Sequence, residues 1–309
     1  MRIVFFGTPA FAVPSLRALA EAQHRIALVV AQPDRPAGRG MHLRTPPVVL
    51  LARDLGLPVA QPASIRSAEF LDRVRNLDPD LGVVVAYGRI LPQALLDIPR
   101  FGFLNVHASL LPAYRGAAPI QRAIEKGETT TGVTIMKVDA ELDHGPILKR
   151  EAIQIGGDER AASLTTRLAS AGARVLVEAI AEIEEGRATE TEQDHDRATY
   201  AARIVRDEAS VSWNEPARRI YDRFRAFDPW PGTTVSFREE PLKLIDIELL
   251  EEMPGGEPGT ILELDDEGIV VAASSGAIRL KTVQRAGRRP MAAAELARAR
   301  RVHRGDRLS

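Results

Sequence analysis

Through its first half the chain alternates short, unbroken apolar runs with longer segments of helical periodicity. RIVFFG (2–7), HRIALVVAQ (24–32), LPVAQ (57–61), LGVVVAYG (81–88), FGFLNVH (101–107) and TGVTIMKVD (131–139) read as strands. Between them FAVPSLRALAEA, PVVLLARDLG, AEFLDRVRNL, PQALLDI and PIQRAIEKG suit helices or helical turns. Continuous Val/Ile/Leu runs, rather than strict alternation, belong to strands covered on both faces. Strands alternating with helices imply a largely parallel, doubly wound α/β sheet. An Ala-rich helical pattern then runs from Asp158 to Gly186, where the glycine is a natural stop.

The texture changes after that helix. RATETEQDHDRATYAARIVRDEAS (187–210) is polar and has little apolar periodicity before Ile204. It reads as a linker, with 189–206 joining a domain at 1–188 to a second at 207–309. In the second domain Asn214 is positioned to cap a helix through EPARRIYDRFRAF, with Pro216 tolerated in its first turn. Five short strand patterns follow, TTVSFR, LKLIDIELL, GTILEL, GIVVAAS and AIRLKTV, separated by Gly- and Asp-rich turns. Such spacing predicts a small antiparallel barrel.

Composition narrows the function classes. With 309 residues and 45% hydrophobic content the chain can build two cores. It has no cysteine, which removes disulfides, a thiolate nucleophile and Cys-ligated zinc, and fits a reducing, cytoplasmic compartment. The N-terminal stretch carries Pro9, Pro14 and Arg17 and does not read as a signal peptide. No uncharged apolar run reaches membrane-spanning length, so no membrane partner is expected. Net charge is −1, and any polyanion contact must therefore come from local charge.

Local charge is segregated in the second domain. Residues 239–267 hold eleven acids against Lys243, and residues 279–309 hold ten bases against Glu295 and Asp306. The basic tract either faces a nucleic acid or pairs with the acidic one across the barrel. A second basic stretch, QPDRPAGRGMHLRTPP (32–47), is long for a strand-to-helix connection. Arg35, Arg39 and Arg44 make it suited to phosphate, while Gly38 and Gly40 make it pliable.

Chemistry points to two strand ends. In an extended FGFLNVH, Asn105 and His107 share a face. In a doubly wound sheet ligands bind beyond the strand C-termini, so this pair either serves a site or satisfies the turn that follows. MKVDAELDHGPIL (136–148) brings Asp139, Glu141 and Asp143 to another strand end. One of these acids could orient the imidazole of His107. FFGTPAF lacks the glycine spacing of a dinucleotide site, which counts against a nicotinamide-dependent oxidoreductase. His24, His42, His144, His195 and His303 are scattered without metal-ligand spacing, and no metal is expected.

NVHASLLP and LDHG resemble the signatures of the enzymes that transfer formyl groups from 10-formyltetrahydrofolate. QPDRPAGRG, RGAAPIQRAI and RAFDPWPG further resemble the branch of that family acting on methionyl-tRNA, in order and spacing along almost the whole chain. The resemblance implies a Rossmann-like formyltransferase domain followed by an OB-like barrel that holds the tRNA acceptor arm. It implies Asn105, His107 and Asp143 as the catalytic set, and Ser109, Leu110, Leu111 and Pro112 as part of the folate pocket, with Tyr87 and Gly88 nearby. It implies that Arg35, Arg39 and Arg44 meet initiator Met-tRNA, and that the enzyme is a monomer producing formylmethionyl-tRNA for translation initiation. Two places depart from the usual pattern: Met41, His42 and Leu43 follow GRG where lysines are common, and His144 stands where the family often has Thr. The nearest rival is a folate-dependent formyltransferase acting on a small amine. A non-catalytic RNA-binding protein is disfavoured because Asn105, His107 and Asp143 are all present.

Overall fold

The computed structural model describes residues 1–37, 42–254 and 256–309. The chain divides into two compact units, one of residues 1–119, 130–154 and 165–201, the other of 120–129, 155–164 and 202–309.

In chain order the first unit contains β1 (Arg2–Gly7), α1 (Val13–Glu21), β2 (Arg25–Val30), β3 (Arg35–Ala37), β4 (His42–Arg44), α2 (Pro47–Asp54), β5 (Val59–Ala60), α3 (Ala68–Asn76), β6 (Leu81–Val85), α4 (Gln93–Leu96), β7 (Phe103–His107) and β8 (Arg115–Gly116). After α5 (Pro119–Glu125) come β9 (Thr130–Lys137), β10 (Ile147–Gln154), α6 (Ala161–Glu184) and β11 (Tyr200–Ala201). The main sheet has seven strands in the order β10-β9-β7-β6-β1-β2-β5. The five strands from β5 to β7 run parallel, while β9 and β10 are antiparallel additions at one edge. All six strand patterns read from this half of the sequence are present. β10 is the unanticipated strand of this sheet: most of ILKREAIQ alternates half-buried and exposed positions, and it lacks the apolar run of a two-sided strand.

One face of the sheet is filled by Phe6, Phe70, Tyr87 and Phe103, with Phe6 meeting the other three rings edge-on at 5.3 to 6.3 Å. α3 covers this face because Phe70, Leu71 and Val74 fall on one side of the helix, which starts where Ser67 Oγ accepts the Phe70 amide. These parallel strands all end on the same side, so β1, β6 and β7 deliver Thr8, Tyr87 and His107 to one edge of the sheet.

The polar segment after α6 is ordered against the first unit. Thr191 bridges Ile147, and β11 pairs in parallel with β8.

The second unit begins its ordered core with α7 (Ala217–Ala226) and continues with β12 (Thr233–Phe237), β13 (Glu240–Leu250), β14 (Ile261–Asp265), β15 (Gly268–Ala272), β16 (Ala277–Arg285), β17 (Met291–Ala292) and α8 (Ala293–Arg300). Its antiparallel sheet runs β12-β13-β16-β15-β14, with β17 beside β16. Among the described residues no ladder joins the two edge strands β12 and β14 into a closed barrel. α7 buries Ile220, Tyr221 and Phe224 in the core of this sheet. It starts at Ala217 with Pro216 in the capping position, so Asn214 is not its cap; the Asn214 amide instead donates to Ser212 Oγ. Pro216 accounts for the later start: it is itself extended, with ψ of 145°, and proline disfavours helical backbone at the residue before it, so the helix begins only at Ala217.

Candidate functional site

Asn105 and His107 stand two residues apart near the C-terminal end of β7 and share one face, Asn105 half-buried and His107 buried. Of the three acids in the β9–β10 connection, Asp143 is the one that reaches them. Its Oδ1 accepts from Asn105 Nδ2 at 3.3 Å and its Oδ2 lies 3.6 Å from His107 Nδ1. Asp139 turns instead to His144 Nδ1 at 2.8 Å and to the Glu141 amide, and the Glu141 side chain is exposed.

Main-chain groups complete the cluster. The Gly116 amide donates to Asp143 Oδ2 at 2.9 Å. The Tyr114 carbonyl lies 2.9 Å from His107 Nε2. A carbonyl only accepts, so Nε2 carries the proton and Nδ1 is the ring nitrogen that faces Asp143. Asp143 and Tyr114 both hold left-handed backbone, with φ of 47° and 60°. Non-glycine residues adopt it only when the surroundings over-determine it, as the bonds to Gly116 and His107 do here.

The segment after His107 folds back on itself. Ser109 is fully buried, its Oγ donating to the Ala113 carbonyl at 2.5 Å and its carbonyl accepting from Thr134 Oγ1 at 2.7 Å. The Leu111 amide donates to the same Thr134 hydroxyl, and its side chain is buried with Met136 and Ile147. Leu110 and Pro112 are half-buried, leaving this turn open on one side. Tyr87 is 2% exposed, with its ring in the aromatic core and its carbonyl accepting from Thr8 Oγ1 and Gln32 Nε2. Burial raises its phenol above the ordinary value, against the opposing pull of Arg89. Gly88 follows with φ of 82°.

The 32–47 segment forms a hairpin of β3 and β4, tied at its base by Asp34, which accepts from Thr45 Oγ1 and Gln61 Nε2. Arg35 and Arg44 are exposed and directly opposite each other. Like charges facing across a ladder repel, and an anion between them would relieve that repulsion. Arg39, with Gly38, Gly40 and Met41, lies outside the described residues.

In the second unit much of the segregated charge is paired. Arg279 meets Asp265 at 2.6 Å, Lys281 meets Glu248 at 2.9 Å, Arg285 meets Glu240 at 2.8 Å and Arg298 meets Asp266 at 3.0 Å. The hydrogen bond from Arg279 holds the Asp265 carboxyl below its usual range. Arg288, Arg289, Arg301 and Arg304 remain exposed and form no ion pair among the described residues. Among the described residues no group of His, Asp and Glu is arranged to hold a metal, and no helix is long and apolar enough to cross a membrane.

Sequence reasoning singled out Asn105, His107 and the three acids, but not the groups that surround them. The Tyr114 carbonyl and Gly116 amide act through the main chain, which carries no residue-type signal. Gln193, whose Nε2 donates to the Asp143 carbonyl at 2.9 Å, sits in a stretch that reads as a spacer.

A parallel sheet with a polar cluster at its strand ends, joined to a small antiparallel sheet, is the architecture of a known class. The family described as Formyl transferase matches residues 1–180, and Formyl transferase, C-terminal domain, matches residues 203–301. The chain belongs to the formyl transferase family. It is 48% identical over 301 residues to the Methionyl-tRNA formyltransferase of Pseudomonas paraeruginosa, covering 97% of this chain and 96% of that protein. To the Methionyl-tRNA formyltransferase of Aromatoleum aromaticum it is 46% identical over 309 residues, covering 100% of this chain and 97% of that one. Among solved structures the fold is shared with an N-formyltransferase from Helicobacter canadensis in complex with folinic acid and dTDP-3-aminofucose (TM-score 0.70, 18% identity, 92% of this chain and 99% of that chain). It is also shared with HypX from Aquifex aeolicus in complex with tetrahydrofolic acid (TM-score 0.64, 20% identity, 96% and 47%).

Proposed function

We propose that the chain transfers the formyl group of 10-formyltetrahydrofolate to the free α-amino group of methionyl initiator tRNA, giving formylmethionyl-tRNA for translation initiation. The observation that carries this is identity of 41 to 48% to proteins named Methionyl-tRNA formyltransferase, across at least 95% of this chain. The small-amine alternative is not favoured, because the solved sugar and phosphoribosylglycinamide formyltransferases share the fold at only 17 to 24% identity.

Asn105, His107 and Asp143 are the reacting set. The methionyl amine attacks the formyl carbon, and the new C–N bond leaves an oxyanion on the tetrahedral intermediate. Asn105 Nδ2 has a second amide proton beyond the one given to Asp143, and directs it to that oxygen. His107 donates from Nδ1 when protonated there, since its Nε2 proton is held by Tyr114. Preorganised donors of this kind are each worth about 3 kcal/mol in the transition state. The attacking nitrogen loses one proton and N10 of the folate gains one as its bond to carbon breaks. Asp143 is placed beside Asn105 and His107 and carries the proton from the attacking amine to N10, directly or through a water. The reaction needs no metal, since an aligned amine and formamide exchange the formyl group without one.

The folate lies along Ser109, Leu110, Leu111 and Pro112, with Tyr87 and Gly88 meeting it through backbone, because the Tyr87 ring is in the core. The 34–47 segment, with Arg35, Arg39 and Arg44 in its sequence, meets the tRNA acceptor end, and residues 207–309 hold the acceptor arm through bases left without acidic partners. Residues 1–188 form the catalytic domain and 189–206 the connection. The enzyme works in the cytoplasm as a monomer. Mixing the protein with the folate donor and charged initiator tRNA should give formyl-Met-tRNA, read by mass. Formylation of glycinamide ribonucleotide or an amino-sugar nucleotide in its place would overturn the assignment.

A further inference from the structure

Polar composition makes residues 187–194 look like a spacer, yet Gln193 is 5% exposed and Arg115, which it meets, is 3% exposed. The Gln193 carboxamide is used at both ends. Oε1 accepts from Arg115 Nε at 3.1 Å and Nη2 at 2.7 Å. Nε2 donates to the Asp143 carbonyl at 2.9 Å and to the Gly145 carbonyl at 2.8 Å. Arginine only donates and carbonyls only accept, so the amide has one satisfactory orientation. Arg115 Nη2 also meets His195 Nδ1 at 2.8 Å, which makes Nδ1 the acceptor nitrogen of that ring. His195 stacks on His144, with centroids 4.0 Å apart and planes within 1°. Three successive residues of the β9–β10 connection are therefore gripped from 193–195: the Asp143 carbonyl, the His144 ring and the Gly145 carbonyl. Gly145 is itself pressed against the Lys137 carbonyl, where a Cβ would lie 2.2 Å from the oxygen.

We propose that Gln193, held by Arg115, is a positioning residue for the reaction: it clamps the backbone at the Asp143 and Gly145 carbonyls and so aims the Asp143 carboxylate at Asn105 and His107. This role rests on the formyl transfer proposed above. The clamp acts at an aspartate held in left-handed backbone, with φ of 47°. Backbone there relaxes unless held, and a displacement of about 1 Å at a reacting group can cost a hundredfold in rate. Nε2 touches only carbonyls, so Gln193 acts through Asp143 and not on the substrates.

Gln193→Glu separates this role from simple packing. It keeps the volume and the acceptors facing Arg115, but an ionised carboxylate has no proton for either carbonyl. In the full-length enzyme it should lower kcat roughly 10- to 100-fold while leaving KM for folate and tRNA within about twofold. A second readout needs no substrate. The Gly116 amide proton, bound to Asp143 Oδ2, should shift in the NMR spectrum of Gln193→Glu toward its position in Asp143→Ala. Wild-type kcat in Gln193→Glu, or a kcat loss with the Gly116 resonance unmoved, would overturn the proposal. Gln193→Ala gives the same two readouts if the Glu variant does not fold. Absence of formylation by the wild-type protein would count against the reaction and leave the NMR test of the clamp standing.

Discussion

Replacing Asp143 by Asn changes one atom and tests the whole arrangement. The Asp143 carboxylate accepts from the Gly116 amide at 2.9 Å and from Asn105 Nδ2 at 3.3 Å, and it lies 3.6 Å from His107 Nδ1. An asparagine can keep the Gly116 bond with its oxygen, but its NH2 then faces the NH2 of Asn105. One amide must turn over, and if Asn105 does, its oxygen replaces the donor meant for the oxyanion. Charge is lost as well. At 3.6 Å a carboxylate and an imidazolium attract by about 5 kcal/mol in an effective dielectric of about 20, an upper figure for what protonated His107 loses. Losing a proton carrier costs about 10²- to 10⁴-fold, and losing an oxyanion donor about 10²- to 10³-fold. These groups act as one unit, so the effects do not add fully. The expected result is a fall in kcat of about 10³-fold, or roughly 4 kcal/mol of transition-state stabilisation. KM should change little. Single-turnover formylation of Met-tRNA, quenched and read by mass, measures it, with circular dichroism to verify folding. A variant within tenfold of wild type would refute the assignment of Asp143.

Three further predictions concern other parts of the molecule. Gly132→Ala would place a Cβ 2.1 Å from the Glu151 carbonyl and 2.5 Å from Leu110, so β10 must move; stability should fall by about 1–3 kcal/mol in urea melts, and an unchanged midpoint would contradict the packing described. Glu208 is held below its usual range chiefly by the hydrogen bond from Arg122, so its contribution is full above the ordinary glutamate value and is lost as pH falls through the depressed one. Wild type should therefore exceed Glu208→Gln by about 2 kcal/mol at neutral pH, with the gap closing in acid; a gap independent of pH would remove the ion pair as its cause. The Arg35→Ala/Arg44→Ala double variant should flatten the log–log salt dependence of tRNA binding by about 1.4 to 1.8, the value of two phosphate contacts, without altering folate KM. An unchanged slope would mean that neither side chain meets phosphate.

Periodicity carried most of the fold. The buried strands of the first unit were legible because each is an unbroken apolar run, and α3 because its apolar residues fall on one helical face. β10 escaped because it is an edge strand whose Lys149, Arg150 and Glu151 break the apolar run by which the other strands are legible. The start of α7 was misplaced because Asn214 is a good cap by type, while Pro216 sets the entry by geometry. The charge tracts left two readings open, and pairing of Arg279, Lys281, Arg285 and Arg298 with acids shows that part of the basic tract serves the fold.

The linear sequence by itself determined that Asn105 and His107 share a face at a strand end, because alternation along a strand is a local property. It also supplied the motifs that resemble the formyl transferases. Apart from that resemblance, which pointed to Asp143, the pattern left open which of Asp139, Glu141 and Asp143 meets His107, since all three lie within one short loop and the direction of a loop side chain depends on what grips its backbone. Tertiary structure made that choice. Gly116 and Gln193 come from distant points of the chain, and their bonds hold Asp143 toward the site in a conformation that local preference alone disfavours.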